Sequence, residues 1–152
     1  MSESIIKFIA TGFGSGYAPY APGTSGTLTA IPVYLILSLF PQPAYLFTTI
    51  ALSLTAVYVS SRAEEIFREK DSSKIVIDEI VGFLFAMLLV KPSILNILLG
   101  FILFRFFDII KIFPARFCER VFPGGIGVVA DDVIAGIYTN FILVILGHTG
   151  II

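Results

Sequence analysis

Cysteine, histidine, tryptophan and charge are all scarce in this sequence. It has one cysteine, one histidine and no tryptophan, and charged residues make up 14% of the chain. Because Cys118 is alone, an internal disulfide and a thiolate zinc site are excluded. A net charge of −1 provides no basic field for the nucleic-acid backbone, so nucleic acid is not an expected partner. The first residues lack a secretory signal, because glycine and serine interrupt their short apolar stretch.

Apolar side chains are abundant instead. Hydrophobic residues make up 57% of the 152 positions, with fifteen phenylalanines and six tyrosines. The mean hydropathy of +0.96 is far above that of an ordinary soluble domain. This length and composition predict one domain, residues 1–152, that is embedded in a membrane.

The order of apolar runs predicts an all-α fold. Strand-like alternation is absent, and the runs cover residues 28–40, 44–60, 75–90, 94–107 and 131–146. The second run continues as a polar helix to about residue 69, and residues 11–27 are interpreted as an irregular loop. A further long loop precedes the last run. We therefore expect a compact bundle of about five main helices with a loop-rich active-site face.

Several of these runs are shorter than the roughly 20 residues that span a bilayer, so they could cross it with flanking polar turns or form a buried bundle that only dips into it. Basic residues concentrate in segments 62–74 and 105–120, which fall on the same side of an alternating path. The positive-inside rule then places both segments in the cytoplasm. This predicts a multi-pass protein of the inner (cytoplasmic) membrane with its polar motifs at the cytoplasmic ends of the helices.

Carboxylates beside apolar runs are the most informative feature, since acids are expensive to place there. The five residues are Asp78, Glu79, Asp108, Asp131 and Asp132. Adjacent carboxylates repel each other unless a cation lies between them, and Mg²⁺ prefers such hard oxygen ligands. The alternative for the first pair is that Asp78 caps a helix and Glu79 stabilises its positive end.

Two further motifs could bind a phosphate group. Arg105 and Lys111 recur with Asp108 along one helical stripe, although a local ladder of salt bridges explains that spacing equally well. Thr24 and Ser25, in the Gly-Thr-Ser-Gly segment before a helix, offer hydroxyls and amides to an anion. A plain flexible entry loop is the alternative for that segment.

At these residues the chain resembles the phosphatidylglycerophosphatase A family. The matching stretches lie between Thr11 and Tyr138 in the family's order, and they read TGFGSG, APGTSGTL, IVIDEIVG, RFFDIIKIFPAR and GGIGVVADDVIAGIY. The resemblance implies an all-helical, Mg²⁺-dependent lipid phosphatase. Its substrate would be the phospholipid phosphatidylglycerophosphate, and its products phosphatidylglycerol and inorganic phosphate. Ile112 and Phe113 depart from the family pattern by separating Lys111 from Pro114.

The resemblance also implies roles for individual residues. Asp78, Glu79, Asp108, Asp131 and Asp132 would be the metal-binding and catalytic carboxylates. Arg105 and Lys111 would bind the phosphate. The residues leave open whether water or an aspartate attacks the phosphorus.

Other functions remain open at this point. A CDP-alcohol phosphotransferase also uses carboxylates and a cation in a membrane, but an aspartate expected in its motif is replaced by Val129. A small cation carrier or channel subunit would keep its carboxylates near the middle of the membrane, whereas these gather at helix ends. His148 lies on the far side and is interpreted as a membrane-edge residue.

Overall fold

The computed structural model describes residues 1–149, without the side chains of residues 119 and 120. Over that range the chain forms seven α-helices and no β-strand, which confirms the all-α prediction. The helices are α1 (Glu3–Ala10), α2 (Pro22–Leu37), α3 (Gln42–Phe67), α4 (Ile77–Ala86), α5 (Ile94–Ile110), α6 (Ala115–Val121) and α7 (Gly125–His148).

Helix α4 lies at the centre of the bundle. It packs most extensively on α7 and also contacts α2, α3 and α5. Its sequence is apolar all round, apart from Asp78 and Glu79 in the first turn, and eight of its ten residues are buried. A helix with apolar residues on every face is stable only when other helices surround it. The sequence of α4 therefore sets its central position.

The C-terminal end of α4 is also buried, which creates a demand for hydrogen-bond donors. The last carbonyl groups of a helix have no partner inside the helix. Tyr45 of α3 donates to the carbonyl of Leu84 at 2.7 Å, and Asn140 of α7 donates to that of Ala86 at 3.1 Å. Tyr34 of α2 donates to a carbonyl just beyond the helix end. Side chains from three neighbours thus fix α4 along its axis.

Two glycines allow α4 and α7 to approach closely. A Cβ atom on Gly136 would lie 2.2 Å from the backbone oxygen of Gly82, and one on Gly82 would lie 2.7 Å from the backbone oxygen of Asp132. No side chain fits at these distances. The contact therefore holds the first half of α7 directly against α4, with Asp132 at the crossing.

The N-terminus of α7 lies against the C-terminal half of α3. The backbone N–H of Gly125 donates to Ser61 Oγ at 2.9 Å, and a Cβ on Gly125 would lie 2.2 Å from the Val57 oxygen. The prediction that the last helix starts near Asp131 is therefore wrong. Glycine is a poor helix former, but here its missing side chain lets the helix begin earlier, packed on α3.

The interpretation of residues 11–27 as a loop is wrong in part. Helix α2 begins at Pro22, so the Gly-Thr-Ser-Gly segment forms its first turns. Proline suits this position, because its fixed φ matches the helix and its missing N–H needs no partner there. The short helices α1 and α6 were not expected, and α6 lies within the segment interpreted as a long loop.

Two of the described helices are long and apolar enough to cross a membrane. They are α3, with 26 residues, and α7, with 24. At 1.5 Å per residue they measure about 39 and 36 Å, against a hydrocarbon core of about 30 Å. Large apolar side chains are exposed on α3, α5 and α7, among them Phe47, Leu54, Leu98, Ile102, Ile109, Ile137 and Phe141.

We expect Gly136→Ala to destabilise the fold. The added methyl group collides with backbone, which cannot move aside as a flexible side chain would, so overpacking should cost about 1–3 kcal/mol. The matched control is Gly147→Ala in the same helix, where nothing lies within 4 Å of the new Cβ. Melting temperatures in detergent check this. Equal melting temperatures for both variants would contradict the proposed role of the α4–α7 contact.

Candidate metal and phosphate site

Three carboxylates from two helices converge at one end of the bundle. Asp78 and Glu79 lie in the first turn of α4, and Asp132 lies on α7. One ligand oxygen from each lies within 4.8 Å of the others, a spacing that suits one metal ion. Asp78 and Asp132 are 6% and 4% exposed. The alternative that Asp78 is the N-cap is wrong, because Val76 holds that position and Asp78 is inside the helix.

Each carboxylate of this cluster has one buried oxygen that lacks a hydrogen-bond partner. Among the described residues, Asp78 Oδ1, Glu79 Oε2 and Asp132 Oδ1 are buried without a hydrogen-bond partner. A buried polar group left without a partner costs about 1–3 kcal/mol. Three carboxyl oxygens without a hydrogen-bond partner fit a hard divalent cation such as Mg²⁺. The oxygen ligands of this site therefore fit Mg²⁺, the metal that the sequence predicts.

Burial and mutual repulsion act on the acids of α4. Burial raises the pKa of Glu79 to about 8, and the nearby Asp132 carboxylate adds to this rise. Burial, followed by the charge of Glu79, raises the pKa of Asp78 well above its usual range. Both effects disfavour the charged form, as expected where like charges share a dry site. A bound cation would reverse this balance by favouring the carboxylates.

Two cationic side chains lie at the edge of the cluster, each in an ion pair. Arg105 Nη1 lies 2.6 Å from Asp108 Oδ2 on the same helix, and Lys111 Nζ lies 2.6 Å from Asp131 Oδ2 on α7. The first pair matches the local ladder that was the alternative for this motif. Lys111 is not part of that ladder, because α5 ends at Ile110 and the side chain of Lys111 forms its ion pair with a residue of α7.

The first turn of α2 closes the site from another side. A Cβ on Gly23 would lie 2.4 Å from Glu79 Oε1 and 3.1 Å from the Nη atoms of Arg105. A larger residue here would require these two charged side chains to shift. Thr24 and Ser25 follow in the same turn and are partly buried. Their proximity agrees with a binding role, and phosphate binding by their hydroxyls stays a prediction.

A cavity of about 200 Å³ lies among the carboxylates, whereas Arg105, Thr24 and Ser25 are not among its lining residues. Asp78, Glu79, Asp108, Lys111, Asp131 and Asp132 all line it, so the structure brings the five predicted carboxylates together. The turn before α4 supplies Asp71, Ser72 and Ser73. Asp71 and the two serines are not among the predicted site residues. Their position just ahead of Asp78 in the chain is the signal that points to them.

Comparison with known proteins shows the family of this chain. The family model for phosphatidylglycerophosphatase A matches residues 8–147. A phosphatidylglycerophosphatase A of Escherichia coli is 32% identical over 92% of this chain and 82% of its own length. Its Haemophilus influenzae counterpart is 38% identical over 91% of this chain and 86% of its own length.

A protein of Bacteroides thetaiotaomicron is 41% identical over 90% of this chain and 89% of its own length. Its name assigns it provisionally as a phosphatidylinositol-3-phosphatase. No solved structure matches the chain.

A helical bundle with a carboxylate-lined cavity, matched over most of its length by phosphatases, defines an enzyme of the phosphoric monoester hydrolase class. Within that class, the chain belongs to the phosphatidylglycerophosphatase A family.

Proposed function

We propose that this protein hydrolyses phosphatidylglycerophosphate to phosphatidylglycerol and inorganic phosphate in a Mg²⁺-dependent reaction. The observation that carries the proposal is the convergence of Asp78, Glu79 and Asp132 within 4.8 Å. Family membership supports the same reaction. A phosphate monoester resists hydrolysis in water more than almost any other biological ester, so a site that offsets its charge is required.

The residues divide into three groups under this proposal. Asp78, Glu79 and Asp132 would hold Mg²⁺, which when bound would offset negative charge on the phosphate and make a bound water more acidic. Arg105 and Lys111, at the edge of the cluster, would bind the outer phosphate oxygens. The first turn of α2, with Thr24 and Ser25, would bind the same group through its hydroxyls and exposed amides.

Proton transfer falls to the carboxylates outside the metal cluster. Asp108 and Asp131 line the same cavity as the cluster. We assign Asp131 as the general base that takes a proton from the attacking water. Water attacks the phosphorus as Asp131 accepts its proton, the ester bond to the glycerol oxygen breaks, and that oxygen takes up the proton from Asp131, which regenerates the carboxylate. Asp108 would orient Arg105 through their ion pair.

A second substrate is favoured by one observation. The Bacteroides thetaiotaomicron relative is 41% identical, and its name refers to a phosphatidylinositol 3-phosphate. That lipid also carries a phosphate monoester on a headgroup joined to diacylglycerol through a phosphodiester. The same site would perform the same chemistry on it, so comparing the kcat/KM values of the two lipids decides which is preferred.

Phosphate release tests the proposed function. Purified protein with phosphatidylglycerophosphate and Mg²⁺ should release inorganic phosphate, and EDTA should abolish the release. Asp78→Asn, Asp108→Asn and Asp131→Asn should each lower kcat by roughly 100-fold or more, because loss of a single electrostatic group in a water-excluded site has effects of this order.

The matched control for these variants is Glu65→Gln. Glu65 is an exposed acid on α3 that pairs with Arg62, outside the cavity. It should retain the kcat of the unchanged protein. Wild-type turnover in all three aspartate variants would rule out the site, and absence of phosphate release by the unchanged protein would rule out the function.

We infer the position of the protein in the membrane from its two long apolar helices and from the end of the bundle at which the basic segments lie. The two apolar helices α3 and α7 suggest a membrane protein. We propose that it is multi-pass in the inner membrane, with the cavity on the cytoplasmic side. Supporting this, the turn from α3 to α4, the α5–α6 segment and the start of α7 all lie at the cavity end. The first two of these carry most of the basic residues.

Labelling from either side tests this orientation. In a Cys118→Ser background, Lys70→Cys marks the exposed turn at the cavity end and Leu39→Cys marks the exposed turn at the other end. A membrane-impermeant maleimide should label Lys70→Cys only in inverted vesicles and Leu39→Cys only in intact spheroplasts. The reverse pattern would contradict the proposed orientation, and labelling of both from one side would contradict a spanning bundle.

A further inference from the structure

A second cavity, of about 450 Å³, adjoins the carboxylate site. Among the side chains that the structure describes, Lys70, Lys111 and Arg116 line it with one acid, Asp71, and with Phe122 and Val128. The two cavities share Asp71, Lys111 and Val128, so they are neighbouring compartments with a common wall. Their charges differ in sign: carboxylates form most of the charged lining of the first cavity, and the described lining of the second has three cations and one carboxylate.

The second cavity also borders an exposed apolar surface. Helix α6 supplies Arg116 to the cavity, and Phe122 follows the helix end. Phe113, Phe117 and Val121, on and just before this helix, are all exposed. Aromatic and aliphatic side chains beside cations are typical of a surface at the membrane interface. The cationic cavity therefore shares one wall with the carboxylate site and takes Arg116 from the helix that carries the apolar surface.

A phospholipid with a terminal phosphate presents its groups in a fixed order. The terminal monoester comes first, then a short polyol, then the phosphodiester and finally the acyl chains. The monoester belongs in the carboxylate site with its cation. The phosphodiester carries a negative charge but needs no chemistry, so a cavity with cations and no metal cluster suits it.

We propose that the cationic cavity binds the phosphodiester of the substrate, with Lys70 and Arg116 as specificity-determining residues and Lys111 between the two phosphates. This rests on the proposed function for the monoester site. The cationic cavity extends that function by requiring a second anionic group on the substrate, a short distance from the phosphate that is removed. The polyol between the two phosphates would lie across the common wall of the cavities.

Steady-state kinetics in mixed micelles of an uncharged detergent test this proposal. Lys70→Ala and Arg116→Ala should each raise the KM for phosphatidylglycerophosphate about tenfold, the effect of losing one charge-assisted hydrogen bond. The kcat should stay close to that of the unchanged protein. Inhibition by inorganic phosphate, which competes at the monoester site alone, should be unaltered.

Two further variants separate binding from other effects. Arg62→Ala removes an exposed cation on α3 that lies outside both cavities, and it should leave KM unaltered. Arg116 also donates to the carbonyl of Ile110. Arg116→Lys should therefore recover most of the affinity if charge matters, and behave like Arg116→Ala if the role is structural.

The outcomes distinguish this proposal from the proposed function. An unchanged KM in both alanine variants would overturn the cationic cavity while leaving the phosphatase activity intact. Equal weakening of substrate and of inorganic phosphate would also overturn it, because the cations would then serve the monoester. Absence of phosphate release by the unchanged protein would refute the proposed function itself.

Discussion

The close approach of α4 and α7 is the constraint on which the carboxylate site depends. Asp78 and Glu79 are fixed to the first turn of α4, and Asp132 belongs to a helix that comes much later in the chain. Gly82 and Gly136 let the two backbones meet without side chains between them. With a larger residue at either position the helices would separate, and the three carboxylates would no longer lie within reach of one ion.

The two ends of α4 differ in how their polar groups are satisfied. At the C-terminal end, Tyr45, Asn140 and Tyr34 donate to backbone carbonyls, so the protein closes that end with its own side chains. At the N-terminal end, buried oxygens of Asp78 and Glu79 have no donor among the described residues. A stable interior tolerates such groups when a ligand satisfies them. This asymmetry along one helix supports the N-terminal end of α4 as the proposed site of chemistry.

The sequence singled out carboxylates that the structure brings together, but it predicted the bounds of the surrounding helices less well. Acids beside apolar runs are expensive to place, so Asp78 and Asp132 could be identified without a structure. The start of α7 at Gly125 could not be predicted in this way, because glycine disfavours helix. The compensating close contact with the Val57 backbone comes from a distant segment of the chain. For the same reason the pairing of Lys111 with Asp131 was not foreseen, since spacing along α5 says nothing about the neighbouring helix.

The central claim is that Asp78, Glu79 and Asp132 together hold one divalent cation. Anomalous diffraction from crystals grown with Mn²⁺, which takes oxygen ligands as Mg²⁺ does, tests it most directly. A strong anomalous peak should appear among these three carboxylates and should disappear in Asp132→Asn. Manganese bound elsewhere, with no peak at this cluster in the unchanged protein, would contradict it.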